Sequence, residues 1–289
     1  MIFSARLWPG FSIGTMLCWD ILSKRLITVA HMLRSTPPRF FVDPSCISAD
    51  SVVLTGDVLH HALTQRLRPN EIFHAVPETF YGEHPQSRPI EACVVRVLSV
   101  TKEELLGEII ERYQVVSPPY EIHLYPAVLK GEKFDLVVEK SVELGCASIT
   151  PVLTARCIPR LDAEKKSTRI LRWEKIARSA AEQSGRSAIP RINEVATFED
   201  VVSKTLSGKP LIALERRHMC VSISKAVGAS KQVSVLIGPE GGFEAHEIEL
   251  ALSKRFSPVS LGPYVLRAET ASIAACAILM EIMSKDDMA

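Results

Sequence analysis

The stretch that most constrains this chain runs from Val233 to Ala277, where an apolar run followed by a glycine-proline break occurs twice. The first unit reads Val233-Ser234-Val235-Leu236-Ile237-Gly238-Pro239-Glu240-Gly241-Gly242-Phe243. A run rich in β-branched residues that stops at Gly238-Pro239 is the pattern of a buried strand entering a loop. Gly241 and Gly242 can take positive φ and let another molecule approach the main chain, and Glu244 and Glu247 favour a helix N-terminus just beyond them. In the second unit Pro258-Val259-Ser260-Leu261 reads as a strand and Gly262-Pro263 ends it. Leu266-Arg267-Ala268-Glu269-Thr270-Ala271 then opens an apolar helix. A right-handed crossover through the intervening helix predicts that the two strands pair in parallel. Gly238 and Leu261 then share a carboxyl edge, where open α/β sheets bind ligands. Either break alone would suit a plain tight turn; two at one edge, followed by a polar helix start, favour a site.

Length and composition leave room for such a site and narrow its partners. A chain of 289 residues can bury two cores, and with 47% apolar and 23% charged residues it has neither a disordered nor a fibrous composition. The net charge of +1 excludes a uniformly basic nucleic-acid binder, so any RNA contact must come from local clustering. Such a cluster lies between Arg156 and Arg191, where ten Lys/Arg face four acids, a balance of +6. Lys165, Arg169 and Arg172 fall at i, i+4 and i+7, on one helix face, which suits a phosphate backbone as well as a solvated surface. Seven scattered cysteines without a Cys-x-x-Cys predict buried thiols in a reducing, cytoplasmic setting, with neither disulfides nor zinc. His60-His61 are adjacent and point apart, so no metal site is expected.

In chain order, residues 1–37 form an extension unlike the rest. Its apolar pieces are interrupted by Pro9, Gly10, Gly14 and Lys24-Arg25, and no run approaches a membrane span. We expect this segment to lie outside the folded unit, with translation beginning at Met32; an intact mass that includes residues 1–31 would refute that start. Residues 38–117 carry short strand-like runs at Phe40–Val42, Ser51–Leu54, Glu71–Val76, Ile90–Val100 and Glu104–Tyr113, with one helix around Asp57–Leu63. Pro118-Pro119 predicts a linker. Residues 118–289 alternate strands and helices: a strand at Glu121–Val128, a helix at Glu132–Leu144 ended by Gly145, a strand at Ala147–Leu153, a long helix at Ala163–Ser184, and a strand at Leu211–Leu214 before Glu215. That alternation predicts a parallel sheet covered by helices.

Several chemistries are missing from this frame. There is no G-x-G-x-x-G after an early strand and no Lys-Ser/Thr after the glycine turn for a triphosphate. Neither G-x-S-x-G nor H-E-x-x-H occurs. What remains is a glycine-lined pocket with few ionisable groups, suited to a neutral or cationic small ligand.

The series Lys140-Ser141-Val142-Glu143-Leu144-Gly145, Ala181-Glu182-Gln183-Ser184-Gly185-Arg186, Leu211-Ile212-Ala213-Leu214-Glu215, Ile237-Gly238-Pro239-Glu240-Gly241-Gly242 and Leu261-Gly262 with Leu266 to Ala271 resembles the RsmE family. These are 16S ribosomal RNA uridine N3-methyltransferases of the SPOUT superfamily. Arg39-Phe40-Phe41-Val42, and His60-His61 followed by Arg66-Leu67-Arg68-Pro69, are similar to that family's N-terminal domain. The resemblance implies an α/β fold in which a small PUA-like RNA-binding β-barrel precedes a SPOUT domain with a trefoil-knotted parallel sheet, assembled as a homodimer. It implies S-adenosyl-L-methionine as cofactor, held by Leu214, Ile237, Gly238, Glu240, Gly241, Gly242, Leu261, Gly262 and Leu266. For the reaction it points to Arg267, as a cation for charge developing on the uracil or for the target phosphate, and to Glu269, as base or helix-terminus stabiliser. RNA contacts are expected from Arg39, Arg66, Arg68, Arg156, Arg169, Arg172 and Arg186, on 16S rRNA or the small subunit. The alternative is a non-catalytic ribosome-assembly factor of the same fold, although such a protein need not keep Gly238, Gly242 and Arg267.

Overall fold

The computed structural model describes residues 37–82, 89–157, 162–215 and 219–284. The expectations for the extension and for a start at Met32 lie outside the described residues. Described strands and helices follow in the order β1 (Arg39–Val42), β2 (Ser51–Leu54), α1 (Gly56–Thr64), β3 (Ile72–Pro77), β4 (Ile90–Val100), β5 (Leu105–Val115), β6 (Glu121–Pro126), α2 (Lys133–Glu143), β7 (Ser148–Ile149), β8 (Val152–Leu153) and α3 (Ala163–Gln183). After these come β9 (Arg191–Ile192), β10 (Ala196–Thr197), α4 (Phe198–Ser203), β11 (Lys209–Ala213), β12 (Val221–Ser222), α5 (Ile223–Val227), β13 (Gln232–Ile237), α6 (Ala245–Ser253), β14 (Ser257–Ser260) and α7 (Ala268–Ser284).

The N-terminal strands form one five-stranded sheet in the order β1-β3-β4-β5-β2, antiparallel except for the β1–β3 pair. Alternation places Phe40 and Val42, Val52 and Leu54, Phe73 and Ala75 on one face, where they enclose a core with Leu59 and Ala62 of α1. Two register shifts in the β4–β5 hairpin, at Val94/Val95 and Val97/Ser99, bend that ribbon around the core. Gly107 sits where a Cβ would lie 2.3 Å from Val95 Cγ1, so the bend depends on its missing side chain.

The second sheet is parallel throughout, seven strands in the order β12-β14-β11-β13-β6-β7-β9. Both faces are covered, which explains why Val233 to Ile237 is buried throughout, with Ser234, its one polar side chain, donating to the Ser207 carbonyl. Val233, Val235 and Ile237 join Ile122, Leu124 and Leu211 in a core built with α2, α3 and α7, through Phe134, Trp173 and Leu279. Leu236 and Ile212 face the other way, against Phe198 and Val201 of α4 and Ala251 of α6. The long helix starts where Asp162 accepts a hydrogen bond from the Lys165 amide at 2.9 Å, an N-cap.

Two expectations are corrected. β13 and β14 are parallel but do not pair: β11 lies between them, with Ala213 opposite both Ile237 and Val259. A helical crossover fixes direction and hand, not adjacency, and the apolar run at Leu211–Ala213 claims the central place. The strand expected over Ala147–Leu153 is two short strands, because Pro151 supplies no amide to continue a ladder.

The N-terminal sheet is tied to α3 and the segment after it. Phe41 donates its amide to Glu182 at 3.0 Å, and Arg178 donates to the Phe41 carbonyl at 2.6 Å and pairs with Glu78 at 2.9 Å. The Tyr81 amide donates to the Ile189 carbonyl and the Ile189 amide to the Thr79 carbonyl, at 3.1 and 2.8 Å.

Candidate cofactor site and nucleic-acid face

Three adjacent strands, β14, β11 and β13, end at the same level because their registers align at Val259, Ala213 and Ile237. Their loops therefore emerge side by side and enclose a cavity of about 260 Å³. From β11 come Leu214 and Glu215; from β13, Ile237, Gly238, Pro239, Gly241, Gly242 and Phe243; from β14, Leu261, Gly262 and Leu266. Ala268 and Ala271 of α7 and Ile248 of α6 complete the wall. Eight of the nine expected cofactor residues thus lie on one cavity. The exception is Glu240, whose side chain turns away to take a hydrogen bond from Lys133 Nζ at 2.9 Å.

The glycine turn is built for close approach. Gly242 has φ +69 and donates its amide to the Pro239 carbonyl at 2.9 Å, a conformation L side chains rarely adopt. A Cβ on Gly241 would lie 3.3 Å from Arg156, which lines the cavity and donates from Nη1 to the Gly241 carbonyl at 2.7 Å. The turn is anchored from behind by Glu247, a buried carboxylate that takes the Ala155 amide at 2.9 Å and the Glu244 amide at 2.8 Å. The residues fit S-adenosylmethionine: apolar walls for a flat base, main-chain groups at glycine, and no lysine on the wall for a phosphate.

Beside the cavity lies a charged cluster. Arg267, between the wall residues Leu266 and Ala268, is exposed. Glu269 is mostly buried, and its Oε2 has no hydrogen-bond partner and lies 3.9 Å from Lys133 Nζ. The hydrogen bond to Glu240 raises the Lys133 ammonium. Burial pushes the Glu240 carboxyl up, but the Lys133 hydrogen bond and charge outweigh it and hold it below the usual carboxylate range.

The seven arginines expected on RNA fall in several places, of which Arg169 and Arg172 share one cavity and Arg39 meets the Arg186 main chain. Arg39 donates from Nη1 to the Gly185 and Arg186 carbonyls, at 2.8 and 3.0 Å, so it braces the two sheets. Arg186 donates to the Val142 carbonyl at 2.7 Å and stacks 4.8 Å over the Tyr81 ring. Arg156 belongs to the cavity, and Arg172 is tied to Asp135, which also takes the Trp173 indole N–H at 3.1 Å. Arg169 lines a second cavity, about 210 Å³, between α2 and α3. Arg66, at φ +58, and Arg68 are exposed beyond α1. Sequence reasoning missed Lys133 and read Glu247 only as a helix N-terminal residue, not as an anchor of the Ala155 amide; the Gly131-Glu132-Lys133 opening of a helix was the nearest signal for Lys133, and it does not say where the side chain reaches.

Among the described residues no group of three His, Cys, Asp or Glu is arranged to hold a metal, no helix is long and apolar enough to cross a membrane, and no disulfide forms. Cys146 is fully buried, and burial pushes its thiol up to about 11.

A family model described as an RNA methyltransferase domain matches residues 116–280. The ribosomal RNA small subunit methyltransferase E of Mesomycoplasma hyopneumoniae is 30% identical over 239 residues, 81% of this chain and 95% of that protein. The chain belongs to the RsmE family. The RsmE relative of Bacillus subtilis is 28% identical over 78% of this chain and 92% of its own length. Among solved structures, ribosomal RNA small subunit methyltransferase E of Neisseria gonorrhoeae bound to S-adenosyl methionine is 29% identical, with a TM-score of 0.74 over 86% of this chain and 98% of that one. A Legionella pneumophila methyltransferase with bound cofactor SAM gives a TM-score of 0.75 at 29% identity. The RsmE assignment therefore spans the N-terminal sheet as well as the domain with the cavity.

Proposed function

We propose that this chain methylates N3 of a uridine in the decoding region of 16S ribosomal RNA, using S-adenosylmethionine. The observation that carries this reading is the cavity where three parallel strands end, next to an exposed Arg267 and a Glu269 carboxylate with one unpartnered oxygen. When bound, the cofactor supplies an electrophilic methyl group on a sulfonium. Leu214, Ile237, Gly238, Gly241, Gly242, Leu261, Gly262 and Leu266 would hold it, reading the base through main-chain groups. Uridine N3 carries a proton at neutral pH and must lose it to become a nucleophile; the buried Oε2 of Glu269, next to the wall residue Ala268 and without a hydrogen-bond partner, is the acceptor proposed for it. Arg267 then stabilises charge spreading onto the uracil oxygens.

The same reading extends to architecture. β14 lies beyond β11, yet α7 returns to pack on α2 and β6, so the chain crosses the ends of β11 and β13, which supports a trefoil-knotted path. The five-stranded sheet with its bulged hairpin supports a PUA-like barrel, with Arg66 and Arg68 as its RNA contacts. Tyr264 and Val265, 82% and 71% exposed beside the cavity, are the apolar surface that a second copy would cover in a homodimer. Incubation with methyl-tritiated S-adenosylmethionine and small ribosomal subunits from cells lacking this protein should put label into 16S rRNA. Cofactor binding with no label in any RNA would overturn the proposal.

A further inference from the structure

We propose that Lys133, outside the cavity and on a different element, is a positioning residue that clamps the two cofactor loops together. This inference rests on the methyltransferase reading of the cavity. Lys133 opens α2, a helix whose Phe134, Val137 and Val138 are fixed in the core, so its ammonium projects from a rigid base. It reaches Glu240 of the glycine turn at 2.9 Å and Glu269 of the first turn of α7 at 3.9 Å. These acids belong to the two chain segments that form opposite parts of the wall, the Gly238–Gly242 turn and the 261–271 segment.

An exposed ion pair ordinarily contributes little. This one differs because the Glu269 side chain is only 12% exposed and its Oε2 is buried without a hydrogen bond. A buried carboxylate left unpaired is costly, and among the described residues Lys133 is the cation within 4.0 Å of it. Two carboxylates sharing one ammonium would repel each other once it is gone. Loss of the lysine therefore frees both loops at once, while α2 and its packed face are untouched. Arg267, the residue before α7, adds a second positive charge near Lys133, which makes the cluster a balanced set of two cations and two acids.

Calorimetric titration with S-adenosylhomocysteine tests the clamp. Lys133→Met should bind on the order of ten-fold more weakly than wild type at a temperature where both are folded, the loss expected for a charge-assisted hydrogen bond, and should melt lower because Glu269 is left buried without its cation. Lys133→Arg should bind within about three-fold of wild type, because charge and reach are kept. Glu240→Gln, which removes one arm and leaves the lysine, should fall between the two. Wild-type affinity in Lys133→Met, or no rescue by arginine, would overturn the clamp while leaving the methyltransferase reading standing. Failure of the wild type to bind would overturn both.

Discussion

At the residue scale the site divides by how far each side chain must look for its partner. Gly238 and Gly242 were legible in the sequence because the demand they meet is local: Gly242 takes φ +69 in a turn after a strand, and a Cβ on Gly238 would lie 3.0 Å from the Phe243 ring; Gly241 does not take the positive φ expected of it and is instead crowded by Arg156. Glu240, in the same motif, has its side-chain partner Lys133 107 positions away, which no local pattern announces. Arg156 was legible as a functional cation, but its place on the cavity wall depends on Glu247, whose carboxylate fixes the neighbouring Ala155 amide across 92 positions. Arg267→Ala should keep cofactor affinity and lose at least about ten-fold in methylation rate, the scale of removing one transition-state donor. Single-turnover kinetics beside calorimetry would separate the two, and an unchanged rate would remove Arg267 from the chemistry. Glu269→Gln should weaken binding no more than Glu240→Gln does, since it too removes one arm of the Lys133 clamp, and should slow methylation at neutral pH by about 100-fold if the carboxylate takes the N3 proton.

At the scale of elements, existence and type of the long segments followed from period and breakers, whereas order in the sheet did not. The run at Leu211–Ala213 says strand but not that it separates β13 from β14. That place is enforced sterically one residue upstream. Gly208 has φ +67 and a Cβ there would lie 2.0 Å from the Gln232 carbonyl oxygen, so β11 can enter beside β13 only with glycine before it. Gly208→Ala should destabilise the protein by about 2 kcal/mol or more, measured by urea unfolding, because backbone strain and overlap add. Gly56→Ala is the control: φ is +58 but nothing lies within 4 Å, so its cost should stay near 1 kcal/mol. The short elements, α4, α5, β9, β10 and β12, were invisible because stretches of two to six residues show less than two helical turns or a full alternation.

For the whole molecule, Pro118-Pro119 reads as a linker, and hydrogen bonds and ion pairs tie the sheets on either side of it. The joint is ionisable. Burial pushes the Glu182 carboxyl up to about 7, against the Phe41 amide and the Arg178 charge, which lower it, and with Glu78, which raises it further. Burial holds the His61 imidazole below its usual value, with Arg178 and His60 acting the same way. Glu182 Oε2 lies 3.2 Å from His61 Nδ1, and burial is the first cause of both shifts. A carboxyl raised in the folded state stabilises fully below its unfolded value of 4.5, and that stability is lost as pH rises through about 7. His61 has the opposite sign and acts below 6.5, so the window that isolates Glu182 runs from about pH 6.5 to pH 8. Thermal unfolding should show the protein less stable at the upper end, and Glu182→Gln should abolish that slope; a slope retained in the variant would exclude Glu182 as its source. Neither group announced itself in sequence, because a glutamate in a basic helix reads as solvated until Phe41 is found against it.

The most direct measurement is nucleoside mass spectrometry of 16S rRNA after the protein, S-adenosylmethionine and undermethylated small subunits have been incubated together. The proposed function predicts one new nucleoside, N3-methyluridine, strongly reduced when Arg267→Ala replaces the wild type at short times. Transfer to a base other than uridine, or to ribose, would contradict the assigned chemistry, and no methylated nucleoside at all would return the chain to an RNA-binding role without catalysis.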